Sequence, residues 1–335
     1  MQNLIDPAIL FFLLGALAGA IKSNLEIPPT ISRFLSLYLL MALGLKGGFA
    51  LSQSGLTANV GLSLAAAMVL AIVIPLLGYW FLRHFVAGFD AAAVAATYGS
   101  VSAVTFVTAV QYLENHHLEY GGHMAAAMAL MESPAIILAV VLANHLRQTT
   151  QPNTASTGIG NDGLMTAPSP QCASIGKILH ESFTDGAQLL LLGAMVVGMI
   201  TGESGKAAMQ PFSGDLFKGM LSFFLLDMGL MAARNMPQVK GQSFALIAYA
   251  ILGPVLHASM ALGLACVLNL GAGDGALLMV LAASASYIAV PAVLRFAMPE
   301  ANPSLYFGLS LGITFPLNIL FGIPTYVSLA QTFLV

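Results

Sequence analysis

Charge is what this chain has least of. Of its 335 residues, 58% are hydrophobic and only 7% are Asp, Glu, Lys or Arg, against about 25% in a soluble domain. A water-soluble fold of this length could not cover its surface with so few charges, so lipid is the solvent that accepts its exterior. A basic excess is missing too: the formal net charge is −3, which excludes a nucleic-acid binder. Cys172 and Cys266 are the only cysteines and lie far apart, so no disulfide framework or metal knuckle follows. No Walker loop, nucleophile elbow or pair of catalytic carboxylates occurs, and the chain reads as neither an enzyme nor a cofactor protein. No Lys or Arg precedes the first apolar run, so the start does not read as a cleavable signal. Lys22 follows that run, which places the N-terminus outside.

What is present is a series of long apolar runs. About 20 such residues cross a bilayer as a helix, and strands are excluded because an open sheet cannot satisfy its backbone in lipid. The runs predict an all-α polytopic membrane protein with ten transmembrane helices. The first five cover approximately 7–25, 30–52, 59–82, 91–113 and 121–146. The second five cover approximately 183–202, 215–235, 242–269, 274–298 and 304–333. Residues 148–176 are rich in Ser, Thr, Gly, Pro and Asn and nearly uncharged. They read as a flexible cytoplasmic linker between a first repeat, 1–147, and a second, 177–335. With the N-terminus outside, Lys22, Arg33, Arg83, Arg147, Lys177, Arg234, Lys240 and Arg295 all fall at cytoplasmic ends, eight of the eleven basic residues. That distribution supports ten spans with both termini outside.

The halves resemble one another. Leu40–Leu45 in span two corresponds to Leu225–Leu230 in span seven. Asp90, Ser100 and Ser102 in span four correspond, at one common offset, to Asp274, Ser284 and Ser286 in span nine. Glu132-Ser133-Pro134 corresponds to Thr314-Phe315-Pro316, and Leu13–Ala16 to Leu191–Ala194. Five spans per half is an odd number, so the second half enters the membrane upside down, as a 5+5 inverted repeat.

Spans four and nine each carry a mid-membrane stretch of small and hydroxylated residues, 96–105 and 282–291. Pro291 lacks an N–H, and Gly99 with the β-branched Val101, Val104 and Thr105 weakens the first stretch. Both helices are expected to be discontinuous there. Breaks expose half-helix N-termini, which attract an anion, and carbonyls that with hydroxyls suit Na⁺. Close helix packing by small residues is the competing explanation. Intramembrane charges are costly and usually functional. Glu132 is the candidate for cation binding or proton response. Asp227 is expected either to pair with Lys46 or to serve transport. His116 and His117, with Glu114 and Glu119, form a solvated outer loop rather than a metal site. Gly15-x-x-x-Gly19 and Gly44-x-x-x-Gly48 fit close helix packing, within the fold or between copies.

Several stretches resemble the sodium-dependent bicarbonate transporter family of cyanobacteria. They are Ala282-Ala283-Ser284-Ala285-Ser286, Pro291, Leu294-Arg295, Pro299, Ala301-Asn302-Pro303-Ser304, Tyr306 and Gly322-Ile323-Pro324 in the second half. In the first half they are Gly44-Leu45-x-Gly47-Gly48, Gly99-x-Val101-Ser102-x-x-Thr105, Leu113-Glu114, Glu119-Tyr120 and Glu132-x-Pro134-Ala135. The resemblance implies Na⁺-driven bicarbonate symport in a bacterial plasma membrane, by a homotrimer that a PII-like regulator can contact from the cytoplasm. It implies substrate binding around Gly99, Ser100, Ser102, Ser284, Ala285 and Ser286. It implies sodium binding by Ser102, Thr105, Glu132 and Ser286. One departure is Ser284-Ala285-Ser286-Tyr287, where the cyanobacterial form has three serines and an aspartate. The alternatives on the residues alone are a Na⁺-coupled carrier of another small anion, a Na⁺/H⁺ exchanger using Glu132 or Asp227, and a non-transporting ion sensor.

Overall fold

A computed structural model describes residues 6–55, 57–150, 186–239 and 241–334. Lys177, Lys240, Cys172 and most of the expected linker, 151–176, lie outside the described residues. Every regular element among the described residues is helical. Helices α1 (Pro7–Ala20), α2 (Pro29–Ser54), α3 (Ala58–Leu82), α4 (Gly88–Gly99), α5 (Ala103–Asn115) and α6 (His123–Thr150) form the first half. Helices α7 (Gly186–Gln210), α8 (Leu216–Asn235), α9 (Phe244–Val267), α10 (Ala272–Ala283), α11 (Ala289–Ala297) and α12 (Pro303–Phe333) form the second. Length and apolarity alone pick out seven candidate membrane spans among the described residues.

Helix ends follow local chemistry. Asp6 caps α1 by accepting from the Ala8 N–H, and Pro7 stands at the first helical position, where its missing N–H costs nothing. The sequence places span one out to residue 25, but α1 stops at Ala20. Lys22 there adopts a left-handed φ of 56°, which ends a helix of L-residues. Span six is longer than expected. Gly202 turns the chain with φ 54°, and helix resumes to Gln210. The expected outer loop around Lys206 is therefore helical. At the other end α6 runs three residues into the expected linker, to Thr150.

Two tight pairs organise one side of the molecule: α1 lies along α8, and α2 along α7. The small-residue motifs make these pairs possible. A methyl on Gly15 would overlap the Leu226 carbonyl, and one on Gly48 would overlap the Met195 carbonyl. Both expected glycine motifs thus serve packing inside the chain. Gly48→Val forces the α2–α7 backbones apart. It is expected to cost at least about 1–3 kcal/mol, read as a lower melting temperature and loss of the monodisperse peak on size exclusion.

The other helices pack around α4, α5 and α10. The stretch Gly88–Asn115, which contains α4 and α5, is almost wholly buried. Helix α4 packs on α3 and α6, and α10 packs on α9 and α12. Two bonds staple these elements in matching ways. The Asp90 carboxylate, in the first turn of α4, accepts the Asn302 N–H at 2.8 Å, just before α12. The Asp274 carboxylate, in the first turn of α10, accepts the Gly121 N–H at 2.6 Å, just before α6.

Candidate functional site

Helix α4 ends at Gly99, Ser100 is extended (φ −99°, ψ 177°), and α5 begins after Ser102. Helix α10 ends at Ala283, Ser284 is extended (φ −79°, ψ 163°), and α11 begins after Ile288. The two gaps touch. The Ser102 N–H donates to Ser284 Oγ at 3.0 Å, and the Ser286 N–H donates to the Thr97 carbonyl at 2.8 Å. Each break thus satisfies backbone groups that the other leaves without a helical partner. Gly99 lets the end of α4 lie against α3, because a side chain there would run into the rigid ring of Pro75.

Ser102 caps α5. Its Oγ accepts from the Thr105 N–H at 3.2 Å and from Thr105 Oγ1 at 3.0 Å. Ser286 Oγ accepts from the Val290 N–H at 3.3 Å in the first turn of α11. The N–H groups of Ala103 and Val104 have no carbonyl one turn earlier to receive them. The α11 terminus is in the same position at Ala289. A cavity of about 240 Å³ lies against both termini. Its walls include Ser102, Glu132, Gln188, Ser286, Tyr287 and Ser36. Glu132 is the only acidic side chain among the lining residues. Gln188 of α7 donates to Glu132 Oε2 at 2.7 Å.

Not every expected residue reaches the cavity. Ser102, Glu132 and Ser286 line it together. Thr105 sits behind Ser102, bonded to it. Ser284 is fully buried and spent on structure, donating to the Leu281 carbonyl at 2.8 Å. Gly99, Ser100 and Ala285 are buried and line no part of it. The Ser100 hydroxyl has no hydrogen-bond partner.

The expected Lys46–Asp227 pair does not form. Lys46 Nζ lies 2.9 Å from both Glu114 carboxylate oxygens and 4.0 Å from the Phe217 ring centroid. Phe217 stands ten residues before Asp227 on α8, about 15 Å along the axis. Asp227 lies instead beside Ser32, with Oδ2 unpartnered. The loop residues His116, His117 and Glu119 are exposed. His116 stacks on Tyr112, Glu114 is taken by Lys46, and no cluster fit for a metal ion occurs among the described residues.

Sequence reasoning missed Gln188 and Asn318. Asn318 of α12, 2% exposed, donates to the carbonyl of Ala283, the last residue of α10, at 2.8 Å. The one signal for either was a lone amide in an apolar run. A second peripheral tie joins Arg147 to Glu300 at 2.7 Å. The guanidinium's hydrogen bonds hold the Glu300 carboxyl below its ordinary range. Its contribution is therefore present at neutral pH and is lost as pH falls through that lowered value. The pair is partly solvated, so the effect is small.

No curated protein matches the chain significantly. The family comparison is decisive in coverage: the profile of the Na⁺-dependent bicarbonate transporter superfamily matches residues 7–331, both interrupted helices and all cavity-lining residues included. A multi-pass helical membrane protein with two broken helices crossing beside a carboxylate is accordingly a transporter, and the chain belongs to the Na⁺-dependent bicarbonate transporter superfamily.

Proposed function

We propose that the protein imports bicarbonate together with Na⁺ by alternating access. The observation that carries this reading is the single cavity against which both half-helix N-termini and Glu132 converge. The N-termini of α5 and α11 offer N–H groups and positive dipole ends to a monovalent oxyanion. Glu132, with the hydroxyls of Ser102 and Ser286, offers oxygen ligands to a hard cation. Thr105 steadies Ser102 from behind. A bound Na⁺ offsets the repulsion that Glu132 would otherwise exert on an anion, which makes the two bind together.

The architecture proposed with it is ten passes in a 5+5 inverted repeat, 1–147 and 177–335, joined by a cytoplasmic linker, with both termini outside. The apolar run Gly186–Val239 has 54 residues. As one straight helix it would be about 80 Å long, more than twice the hydrocarbon thickness. The turn at Gly202 and the π-type stretch Pro211–Asp215 interrupt it, and on this reading it is two passes. The matching staples of Asp90 and Asp274 support the repeat. So does the exchange of partners between α1 with α8 and α2 with α7. On this reading those four helices form a scaffold, and the bundle holding both breaks slides against it as an elevator. A homotrimer, a plasma-membrane location and a PII-like cytoplasmic regulator follow the family resemblance alone.

Reconstituted vesicles test the function. Labelled bicarbonate should accumulate at least about tenfold faster under an inward Na⁺ gradient than with K⁺ in its place. Equal rates would remove the coupling. A second reading, another small anion as substrate, is favoured by Tyr287. Its ring lines the cavity, with Oη 3.7 Å from Met228 Sδ. Formate or acetate accumulating where bicarbonate does not would establish it.

A further inference from the structure

Two clefts lie toward the C-terminal end of α5, away from the cavity at its N-terminus. One, of about 580 Å³, is walled by residues that include Asp6, Gln111, Asn115 and Lys218. The other, of about 700 Å³, is walled by Lys46, Gln111, Glu114, Lys206, Asp215 and Lys218 among others. They share Gln111 and Lys218. Gln111 is nine residues along α5 from Ser102, about 13 Å.

The polar groups here do not balance. The Asp6 oxygens accept from the Ala8 N–H and from Asn115 Nδ2, each at 2.8 Å. The Glu114 oxygens accept from Lys46 Nζ and from the Tyr120 hydroxyl. Asp215 Oδ1 has Gln210 Nε2 at 3.5 Å. Asn115 Oδ1 accepts from Gln111 Nε2 at 3.0 Å and from Lys218 Nζ at 2.8 Å. The Asp6 and Glu114 carboxylates are thus engaged on both oxygens, and Asp215 by one long contact. Lys218 keeps two of its three donor hydrogens beyond the bond to Asn115, and Lys206 also lines the larger cleft. One acceptor is left over: Gln111 Oε1, in a side chain 4% exposed, has no partner. A buried amide oxygen without a donor is costly and rare.

We propose that Gln111 and Lys218 form a second anion site, for an oxyanion that carries one negative charge and one hydroxyl. Bicarbonate has that chemistry. Its charged oxygens accept from Lys218, and its O–H donates to Gln111 Oε1. Chloride and nitrate have no hydrogen to donate, so the site discriminates against them. Lys206 raises the local anion concentration. The site rests on the bicarbonate reading above and adds a holding point about 13 Å before the helix breaks, at the outer end of the pathway in the proposed topology.

The test uses the full-length protein and labelled bicarbonate, in two assays on wild type, Lys218→Gln, Lys218→Arg and Gln111→Leu. The first is Na⁺-driven uptake into vesicles. Lys218→Gln and Gln111→Leu should each raise KM for bicarbonate about tenfold, with the change concentrated in KM rather than in the maximal rate. Lys218→Arg should restore most of it. The second is equilibrium binding in K⁺ medium, where the sodium-dependent cavity is unloaded. Wild type should retain bicarbonate that formate displaces only weakly and chloride does not, and Lys218→Gln should lose it. Unchanged KM and unchanged binding in Lys218→Gln and Gln111→Leu would overturn the site. If wild type shows no uptake yet binds bicarbonate through Lys218, the site stands and the transport reading falls. If Lys218→Gln does not fold, the Gln111→Leu result decides.

Discussion

A protein carrying Glu132→Gln will lose sodium-driven uptake at sodium concentrations that saturate the wild type. The substitution keeps shape and can still meet Gln188, so the bundle should assemble. What it removes is the only carboxylate among the residues lining the cavity. A cation about 4 Å from a carboxylate, at an effective dielectric of about 20, gains about 4 kcal/mol. At about 1.4 kcal/mol per factor of ten, that is roughly a thousandfold in Na⁺ affinity. The hydroxyls of Ser102 and Ser286 remain but carry no net charge to oppose the ion. Glu132→Asp should sit between, because the charge survives on a shorter stem. Bicarbonate binding should lose its dependence on Na⁺, since the charge through which each ligand favoured the other is gone. Uptake against sodium concentration in vesicles is the measurement. A half-saturating sodium concentration unchanged within about threefold would show that the coupling ion does not sit at Glu132.

The parts of the molecule that the sequence made readable are those where one residue type does one job. Gly99, the serines and Pro291 mark chain that helix disfavours, and both stretches are interrupted in the structure. The glycine spacings on α1 and α2 mark faces that need close neighbours, and they find them in α8 and α7. What stayed hidden are relations between distant residues. Lys46 and Glu114 are 68 positions apart, and nothing local says that α2 and the end of α5 meet. Charge matching alone made Asp227 the natural partner for Lys46, yet the axial rise of α8 separates them. Hydroxyl content suggested more ligands than the cavity receives. Ser284 and Thr105 are consumed in capping and crossing the breaks, a use that their identity does not announce. Gln188 and Asn318 carried no pattern, because a single amide in an apolar run has no period to betray its direction.

The largest loss of stability is expected from Asn318→Leu. Had α10 continued past Ala283, that residue's carbonyl would have received the N–H one turn later. The break removes that donor, and Asn318 supplies another from α12 at 2.8 Å. The same amide accepts from the Tyr326 hydroxyl at 3.2 Å, so one side chain settles two buried groups. It sits where α12 widens into a π-type turn at Asn318–Gly322, a geometry that occurs mostly at functional sites. Leucine matches it in size but leaves the buried Ala283 carbonyl and Tyr326 hydroxyl without these partners. At about 1–3 kcal/mol for each orphaned group, the cost is about 2–6 kcal/mol, a large part of a typical total of about 5–15 kcal/mol. Tyr326→Phe removes only the second bond and serves as the measure of it. The melting temperature should fall at least twice as far in Asn318→Leu as in Tyr326→Phe, and uptake should fall with it, because a slack α10 terminus no longer holds Ser284 against Ser102. If the two variants melt together, the break does not depend on Asn318, and the crossing must be held by Ser102, Ser284, Ser286 and Thr97 alone.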